Sequence, residues 1–384
     1  MSLAYPCRMK TPRFTPLVAD LPATVPFVGP DAQMRANGRP FRARIGANES
    51  GFGPSPKAVE AMRRAAPESW MYGDSECYDL RAALAEHHGV TPAHIIIGEG
   101  IDGLLGMLVR MLVAPGDPVV TSDGAYPTFS YHVAGYGGVL HKVPYRDDHE
   151  DPGALLARAD ETGAKLLYFC NPDNPMGTWH SARVVERMIK AVPHGTLMVL
   201  DEAYIDASPS GTAPEIDPDN PHVIRMRTFS KLYGLAGLRV GYGIGSPDLI
   251  AMFDRIRNHF GMGRVAQAGA LAALQDQAWL QSVQGDVARA RARIAQIAAD
   301  CGLYALPSAA SFVALDTGRD GDFARRLVDA LMARDIFVRM PFVAPQDRCI
   351  RVSAAPDGPL DAFETALPKA LADCAHATKA PQKT

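Results

Sequence analysis

The sequence predicts an α/β chain of two domains, the larger of which holds a mostly parallel sheet with helices on both faces. Two observations lead to this fold class. The chain has 384 residues, and a single core tends to divide into domains beyond roughly 250–300 residues. From about Ser55 to Tyr242, unbroken apolar runs are separated by segments with helical periodicity, as expected of parallel strands that helices bury on both faces.

The candidate elements of the larger domain alternate regularly along the chain. The strand candidates are residues 95–97, 118–121, 139–143, 165–170, 197–200, 223–226 and 238–242. The helix candidates are residues 57–66, 79–88, 104–113, 126–134, 151–161 and 181–191. Short apolar strands and longer amphipathic helices in this order are typical of a doubly covered sheet.

The character of the chain changes after about Arg264. One long helical stretch, rich in Ala, Gln and Arg, is predicted to continue to about Ala299. Strand candidates at 312–315, 336–338 and 349–352 and helix candidates at 323–333 and 360–375 follow. We therefore expect a large domain at 51–275, a small α+β domain at 276–384, and residues 1–50 as an N-terminal arm and part of the small domain.

Composition excludes several classes of partner. The net charge is −3 and the sequence contains no long basic run, so nucleic acid is not the expected partner. No apolar stretch approaches the roughly 20 residues that a membrane helix needs. The six cysteines form no C-x-x-C and there is no H-E-x-x-H, so no metal site is expected. The N-terminus lacks the apolar segment of a secretory signal, and we expect a cytoplasmic protein.

Three glycines follow the first strand candidate of the large domain. Gly98, Gly100 and Gly103 stand at G-x-G-x-x-G spacing in I-I-I-G-E-G-I-D-G. This spacing is typical of a dinucleotide site, but the motif begins almost a hundred residues into the chain, and a simple strand-to-helix turn explains it equally well. In either case, the free N–H groups at the start of a helix form a site for an anion.

Two further motifs follow strand candidates, where α/β sheets place their ligands. N-P-D-N-P-M-G-T at 171–178 has two Asn-Pro pairs that hold a rigid loop, although a plain turn explains one such pair. D-E-A-Y at 201–204 places a carboxylate just past a buried strand. Such a carboxylate needs a cationic partner or serves as a helix cap.

The most informative run is T-F-S-K-L-Y-G-L-A-G-L-R at 228–239. The hydroxyls of Thr228 and Ser230, together with Arg239, suit a phosphate monoester. Lys231 lies among apolar residues, so it is either a lysine that reaches solvent or a desolvated amine fit for Schiff-base chemistry. A carbonyl-reactive lysine beside a phosphate site describes a site for pyridoxal 5′-phosphate (PLP).

Arg351 in C-I-R-V-S lies within a strand candidate. An arginine there forms a salt bridge at an edge strand, or it binds an anionic ligand. In a PLP site, the natural partner of this arginine is a substrate carboxylate held through two hydrogen bonds.

Together these motifs resemble those of the fold-type I PLP-dependent aminotransferases, and among them the histidinol-phosphate aminotransferase branch of the class I/II group. The resemblance extends from A-N-E-S-G-F-G-P-S-P at 47–56 to I-R-V-S at 350–353. It implies the PLP-dependent transferase fold type I, a seven-stranded sheet in the large domain, PLP as the cofactor and a homodimer with shared active sites. The implied reaction transfers an amino group to a 2-oxo acid, most simply 2-oxoglutarate.

The resemblance also implies roles for individual residues around the cofactor ring. Lys231 matches the lysine that bonds covalently to PLP, and Asp201 matches the aspartate that pairs with the ring nitrogen. Tyr204 and Asn174 match the pair that binds the phenolic oxygen. Phe129 lies where relatives place an aromatic ring stacked on the cofactor.

The remaining matched residues concern the cofactor phosphate and the substrate. The phosphate ligands are expected to be Ser230 and Arg239, with Thr228 beside them and the backbone of Gly100, Ile101 and Asp102 opposite. Tyr72 matches the tyrosine that reaches the PLP phosphate of the partner subunit. Arg351 matches the arginine for the α-carboxylate, and Arg339 and Asn48 are expected near the substrate.

Some positions depart from the motifs of this branch. Relatives often have N-E-N-P-F-G where this chain has N-E-S-G-F-G, and an asparagine where this chain has Gly261. These departures leave the amino donor open between histidinol phosphate, an aromatic amino acid and other amines. The motifs also leave three alternatives: a decarboxylase of the same fold that resembles threonine-phosphate decarboxylase, a nicotinamide-dependent dehydrogenase, and a non-catalytic binding protein.

Overall fold

The structure is a computed structural model that describes residues 14–22 and 28–377. Its strands are β1 (Ala43–Arg44), β2 (Ile95–Glu99), β3 (Pro118–Ser122), β4 (Val139–Val143), β5 (Leu166–Cys170), β6 (Leu197–Asp201), β7 (Val223–Thr228), β8 (Val240–Ile244), β9 (Tyr304–Ala305), β10 (Phe312–Asp316), β11 (Ile336–Phe337) and β12 (Cys349–Ser353). Its α-helices are α1 (Pro16–Asp20), α2 (Pro30–Asn37), α3 (Pro56–Ala65), α4 (Tyr78–His88), α5 (Gly100–Leu112), α6 (Pro127–Gly135), α7 (Pro152–Thr162), α8 (Ala182–Lys190), α9 (Pro247–Phe253), α10 (Arg264–Gln275), α11 (Gln277–Asp300), α12 (Gly321–Met332) and α13 (Asp357–Ala377). Within the described ranges, no helix has both the length and the apolar character needed to cross a bilayer.

The central feature is a seven-stranded sheet with the strand order β2-β8-β7-β6-β5-β3-β4. The strands from β3 to β7 run parallel, and β8 runs antiparallel to both of its neighbours, β2 and β7. This topology confirms the predicted mostly parallel sheet of seven strands. It includes all the strand candidates of the large domain, each shifted by two residues or fewer.

Helices cover both faces of the sheet because alternate residues of each buried strand point to opposite sides. In β5, Leu166 and Tyr168 pack with side chains of α5 and α6 on one face. Leu167 and Phe169 pack with side chains of α7 and α8 on the other face. A strand with two buried faces needs an unbroken apolar run, and all five residues of β5, L-L-Y-F-C, are buried.

The C-terminal part of the chain contains a smaller antiparallel sheet of the order β12-β10-β9. Strand β1 pairs in parallel with β11, so the residues just before position 50 join an element of the C-terminal part. The assignment of residues 1–50 to an arm and to part of the small domain stays a prediction. The predicted domain boundaries at residues 50 and 275 stay a prediction.

The helical stretch predicted for residues 264–299 is two helices rather than one, because α10 ends and α11 begins on either side of Asp276. Asp276 has a non-helical ψ of 61°. Its carboxylate accepts hydrogen bonds from Ser55 Oγ and from Lys57 Nζ at the start of α3. Helical periodicity does not reveal this break because its partners lie far away in the sequence.

The carboxyl ends of the central strands meet at one edge of the sheet. Cys170 at the end of β5 is in register with Asp201 at the end of β6, and Asp201 is in register with Met226 of β7. The loops that follow these three strands therefore start side by side. This edge is where a parallel sheet is expected to bind its ligand.

Candidate active site

A cavity of about 360 Å³ opens at the carboxyl edge of the sheet. It is bounded by the loops after β5, β6 and β7, the start of α5, and the segments next to β11 and β12. Most of the predicted site residues line it: Asn48, Ile101, Asp102, Asn174, Asp201, Tyr204, Thr228, Ser230, Lys231, Arg239, Arg339 and Arg351. Gly100, Tyr72 and Phe129 are not among its lining residues.

Lys231 stands three residues beyond the end of β7, inside the cavity. Its Nζ lies 5.4 Å from the centre of the Tyr204 ring. Burial lowers the pKa of Lys231 to about 8, and the positive charge of Arg351 adds to this effect. The amine is therefore partly neutral near neutral pH, which a nucleophile or a proton-transfer group requires.

Asp201 ends strand β6 and is only 3% exposed. Its Oδ2 accepts a hydrogen bond of 2.6 Å from the Tyr168 hydroxyl, and its Oδ1 accepts one of 2.9 Å from the Ala203 N–H. Burial raises the pKa of Asp201 to about 6, although both hydrogen bonds act in the opposite direction. A cationic ligand beside this carboxylate would lower its pKa again and stabilise its ionised form.

The start of α5 faces a group of hydroxyl and guanidinium donors. Arg239 Nη1 donates to Ser230 Oγ at 3.2 Å, and the Ser230 N–H donates to Thr228 Oγ1 at 3.0 Å. Arg239 Nη2 lies 3.4 Å from Asp102 Oδ2 in the first turn of α5. Helix N–H groups, two hydroxyls and an arginine are the donors that a phosphate monoester needs.

Two glycines allow this close approach. Gly100 has a φ of +76°, and a Cβ at this position would overlap the Arg239 guanidinium. A Cβ on Gly241 of β8 would lie 2.6 Å from the backbone nitrogen of Ile101. The glycine-rich segments therefore leave room for backbone N–H groups beside a small anion, so the residues present fit the PLP phosphate.

Tyr204, Asn48 and Asn174 form a hydrogen-bonded group on another wall of the cavity. The Tyr204 hydroxyl accepts hydrogen bonds from Asn48 Nδ2 at 2.8 Å and from Asn174 Nδ2 at 3.5 Å. Asn48 also uses its N–H and its Oδ1 to bind the Ser353 hydroxyl. The structure thus shows Asn48, predicted to bind substrate, in contact with Tyr204.

Two arginines approach the cavity from the C-terminal part of the chain. Arg351 is only 7% exposed, and burial lowers its pKa to about 10. Its Nη1 donates to Asn174 Oδ1 at 2.6 Å, while its buried Nε has no hydrogen-bond partner among the described residues. Arg339 Nη2 donates to the Val28 carbonyl at 3.1 Å. A buried guanidinium with an unused donor fits an anionic ligand.

Comparison with known proteins identifies the family of the chain. The family model described as "Aminotransferase class I and II" matches residues 44–367, which include every predicted site residue. The chain belongs to this family. Membership confirms the predicted fold type I, the aminotransferase class of activity, small amino and oxo compounds as substrates, and PLP as the cofactor. The nicotinamide-dependent and non-catalytic alternatives are not supported.

Individual relatives cover most of this aminotransferase. It is 34% identical over 333 residues to the histidinol-phosphate aminotransferase of Moorella thermoacetica, covering 86% of this chain and 85% of that protein. It is also 34% identical over 347 residues to the aromatic amino acid aminotransferase of Mycolicibacterium paratuberculosis, with 88% and 95% covered. Among solved structures, the histidinol-phosphate aminotransferase of Sinorhizobium meliloti in complex with pyridoxal-5'-phosphate has a TM-score of 0.92 and 54% identity, covering 95% of this chain and 99% of that chain.

The prediction for Phe129 needs correction in this aminotransferase. Phe129 is fully buried, and its ring stacks on Tyr168 with 4.6 Å between the ring centres. Tyr126, just before α6, lines the cavity, and its hydroxyl donates to Asp102 Oδ1 at 2.9 Å. The sequence feature that indicates Tyr126 is its position directly before Pro127 and shortly after the end of β3. Of these two aromatic residues, Tyr126 is the one at the cavity, because the phase of α6 turns Phe129 into the core.

Tyr72 lies outside the cavity of its own chain. It is 76% exposed, and its ring lies 4.7 Å from the ring of Phe260. The prediction that Tyr72 reaches a partner's site requires an exposed side chain, and the structure agrees with this requirement.

Proposed function

We propose that this aminotransferase takes its amino group from histidinol phosphate and passes it to 2-oxoglutarate, with PLP as the cofactor. The observation that carries this proposal is that Lys231, Asp201 and Arg351 face one cavity beside a group of phosphate donors. The S. meliloti relative, at 54% identity, is named for the histidinol-phosphate reaction, which supports this donor. The family and these relatives do not favour the decarboxylase alternative.

The groups that line the cavity support a proposed place for each part of the cofactor. The phosphate would bind at the start of α5, where Ser230 and Arg239 supply side-chain donors and Ile101 supplies an N–H. Asp201 would face the ring nitrogen, and the Tyr204 hydroxyl would face the phenolic oxygen. When bound, PLP stabilises the negative charge that forms at the substrate Cα as its proton leaves.

Three side chains of the cavity contribute to the other steps of the reaction. The Lys231 amine, with its pKa of about 8, would remove the Cα proton of the substrate and deliver it to the C4′ atom of the cofactor. The Asp201 carboxylate would keep a proton on the ring nitrogen, and this cation would offset the cost of burying the carboxylate. The Tyr204 hydroxyl keeps its proton near neutral pH, because burial raises its pKa.

The two arginines support substrates with anionic groups. The Arg351 guanidinium would bind a carboxylate through two hydrogen bonds. Arg339 lines the same cavity and would bind the second anionic group, which is the distal carboxylate of 2-oxoglutarate. Histidinol phosphate carries its negative charge on a phosphate, which the same arginines can bind. Aromatic amino acids carry one carboxylate, and the M. paratuberculosis relative keeps them as the second candidate donor.

A donor screen tests this proposal. The PLP-loaded protein is mixed with one donor at a time, and conversion to the pyridoxamine form is followed by visible absorbance without any acceptor. Histidinol phosphate is expected to react at least about tenfold more efficiently than phenylalanine, because its phosphate offers the two arginines about two negative charges and the carboxylate of phenylalanine offers one. Equal or faster reaction of phenylalanine would assign the site to aromatic amino acids.

Replacement of Gly100 with alanine is expected to weaken PLP binding by about tenfold, because its positive φ costs a side chain about 1–2 kcal/mol. The added Cβ also overlaps Arg239. Titration of the cofactor-free protein with PLP, followed by absorbance, gives the affinity.

Gly103→Ala is the matched control for this change. Gly103 lies in the same helical turn, and its Cβ would meet neighbours only at an ordinary 3.5 Å. If both variants bind PLP equally well, the start of α5 is not the phosphate site.

We also propose that the chain forms a homodimer with shared active sites. Trp70, Tyr72 and Phe260 are exposed aromatic side chains, and the last two contact each other. Covering them with a second copy would remove this apolar surface from water. The cytoplasmic location stays a prediction.

A further inference from the structure

Two buried acidic side chains lie near Asn174: Asp173 belongs to the same loop, and Glu150 belongs to the segment before α7. Glu150 and Asp173 are each only 2% exposed. Glu150 accepts hydrogen bonds from Ser122 Oγ at 3.0 Å and from the Cys170 N–H at 3.2 Å. Asp173 accepts them at 2.8 Å from the Tyr145 hydroxyl and at 2.8 Å from the backbone N–H of residue 176. All four donors are neutral groups, so none of them balances a negative charge.

The negative charge of Asp173 raises the pKa of Glu150, because the two carboxyl groups lie close together. Two neighbouring buried carboxylates cannot both be ionised, because water does not screen their repulsion. One of them must therefore carry a proton. Burial raises the pKa of Glu150 well above its usual range and that of Asp173 to about 6. Near neutral pH, Glu150 thus keeps the proton and Asp173 carries the single charge.

This charge lies close to the arginine proposed to bind the substrate carboxylate. Asn174, the next residue after Asp173, accepts a hydrogen bond of 2.6 Å from Arg351 Nη1. The Arg351 charge lowers the pKa of Asp173, and the Asp173 charge raises the pKa of Arg351. The buried guanidinium and the buried carboxylate therefore stabilise each other.

We propose that Asp173 is the resident counter-charge of Arg351, and that Glu150 limits the acidic pair to one negative charge by keeping its proton. While the site is empty, Asp173 compensates the buried guanidinium. When a substrate carboxylate binds, two negative charges share one cation, so Asp173 weakens binding and eases product release. Asp173 is a positioning residue in this scheme because it acts through Arg351. The inference deepens the proposed function and rests on the proposed role of Arg351.

Several other titratable groups face the acidic pair: Tyr145, Tyr168, Cys170 and Arg351, together with His180, which hydrogen-bonds to the backbone carbonyl of Glu150. Burial raises the pKa values of the two phenols and the thiol and lowers that of His180, so these four stay neutral near neutral pH. Asp201, which accepts a hydrogen bond from Tyr168, also has a pKa of about 6, so its titration overlaps that of Asp173. A comparison of variants at Asp173 cancels the contribution of Asp201.

The test measures the binding of succinate, an unreactive dicarboxylate, to the PLP-loaded protein through the visible absorbance of bound PLP. Asp173→Asn is expected to bind succinate about three- to tenfold more tightly at about pH 8, because a repelling charge is gone. The gain should disappear as the pH falls below about 6, since Asp173 of the wild type is then protonated. Weaker or equal binding at high pH, or a gain that is independent of pH, overturns the proposal.

A second variant tests the same proposal without removing a carboxyl group. The Tyr145 hydrogen bond lowers the pKa of Asp173, so Tyr145→Phe should move the pH at which wild-type succinate binding tightens to a higher value. A pH midpoint of succinate binding that does not move contradicts the proposal.

Glu150→Gln should keep the pH dependence of succinate binding, because glutamine replaces a carboxyl group that is already neutral. Loss of this pH dependence contradicts the assignment of the proton to Glu150. Asp160→Asn, at an exposed position on α7, controls for a general change in net charge.

Arg351→Lys separates this inference from the proposed function. If the variant binds succinate as tightly as the wild type, Arg351 does not hold a carboxylate, and both proposals fail. If it binds succinate more weakly while Asp173→Asn shows no gain, only the counter-charge proposal fails. Thermal unfolding of each variant confirms that the compared proteins are folded.

Discussion

Replacement of Lys231 with alanine is expected to abolish transamination, with a loss of at least about 10⁴-fold in the rate of the half-reaction with the amino donor. The variant loses the amine that bonds to PLP and the only proton-transfer group that we place at the substrate Cα, and proton transfer alone contributes about 10²–10⁴-fold. Single-turnover absorbance changes of the PLP-loaded variant give this rate. The visible spectrum should also change to that of PLP without a covalent bond to the protein.

Two comparisons make the Lys231 experiment specific. Lys190→Ala removes an exposed lysine of α8 and should react like the wild type. A small primary amine added to Lys231→Ala should restore part of the rate, because it replaces the missing proton-transfer group. Transamination at the wild-type rate without any added amine would refute the assignment of Lys231.

Replacement of Asp201 with asparagine is expected to slow the same half-reaction by about 10²–10³-fold, a loss typical of one removed electrostatic partner. Asparagine can still accept the Tyr168 hydrogen bond, but it has no charge to keep a proton on the ring nitrogen. Stopped-flow absorbance measures this rate. A rate within about threefold of the wild type would contradict the pairing of Asp201 with the ring nitrogen.

The same change is expected to stabilise the protein when PLP is absent. The folded-state pKa of Asp201 is raised from 3.8 to about 6, so its burial costs free energy of folding once the pH rises above its pKa in the unfolded chain. The penalty is complete above the folded-state pKa and is lost at about pH 4 and below. Asp201→Asn should therefore raise the melting temperature of the cofactor-free protein by a few degrees at about pH 8 and leave it unchanged at about pH 4.

Exposed Asp160 supplies the control for this measurement, because Asp160→Asn removes the same charge without releasing a buried carboxylate. A lower melting temperature for Asp201→Asn at about pH 8 would mean that the carboxylate stabilises the empty site. Together, slower chemistry and higher stability would show that Asp201 is retained for catalysis rather than for folding.

Most of the cavity could be predicted from the sequence because its residues sit in short motifs just beyond apolar strands. Asp201 follows β6, Lys231 follows β7, and parallel strands bring such positions to one edge of the sheet. The chemical types of these residues then indicated PLP. Phe129 shows the limit of this reasoning, since the phase of a helix after a turn decides which of two nearby aromatic residues enters the cavity.

Other features depend on contacts between distant parts of the chain. Asn48 contacts Tyr204, which lies 156 positions further along the chain. The helix break at Asp276 is held by Lys57 and Ser55, which lie 219 and 221 positions before it. Neither contact leaves a periodic or local signal in the sequence. The acidic pair was also not predicted, because Glu150 and Asp173 belong to different loops and each alone looks like a surface or turn residue.

The sequence by itself determined the α/β class, the family and the chemistry of the site, because strand periodicity and the order of functional motifs are local properties of the chain. Only the tertiary structure decided which groups share a charge or a hydrogen bond. It placed Tyr126 rather than Phe129 at the cavity, and it brought Asp173 close to Arg351. The physical reason is that burial and proximity set the pKa of a group and the partners of a donor, and both arise only when distant segments pack together.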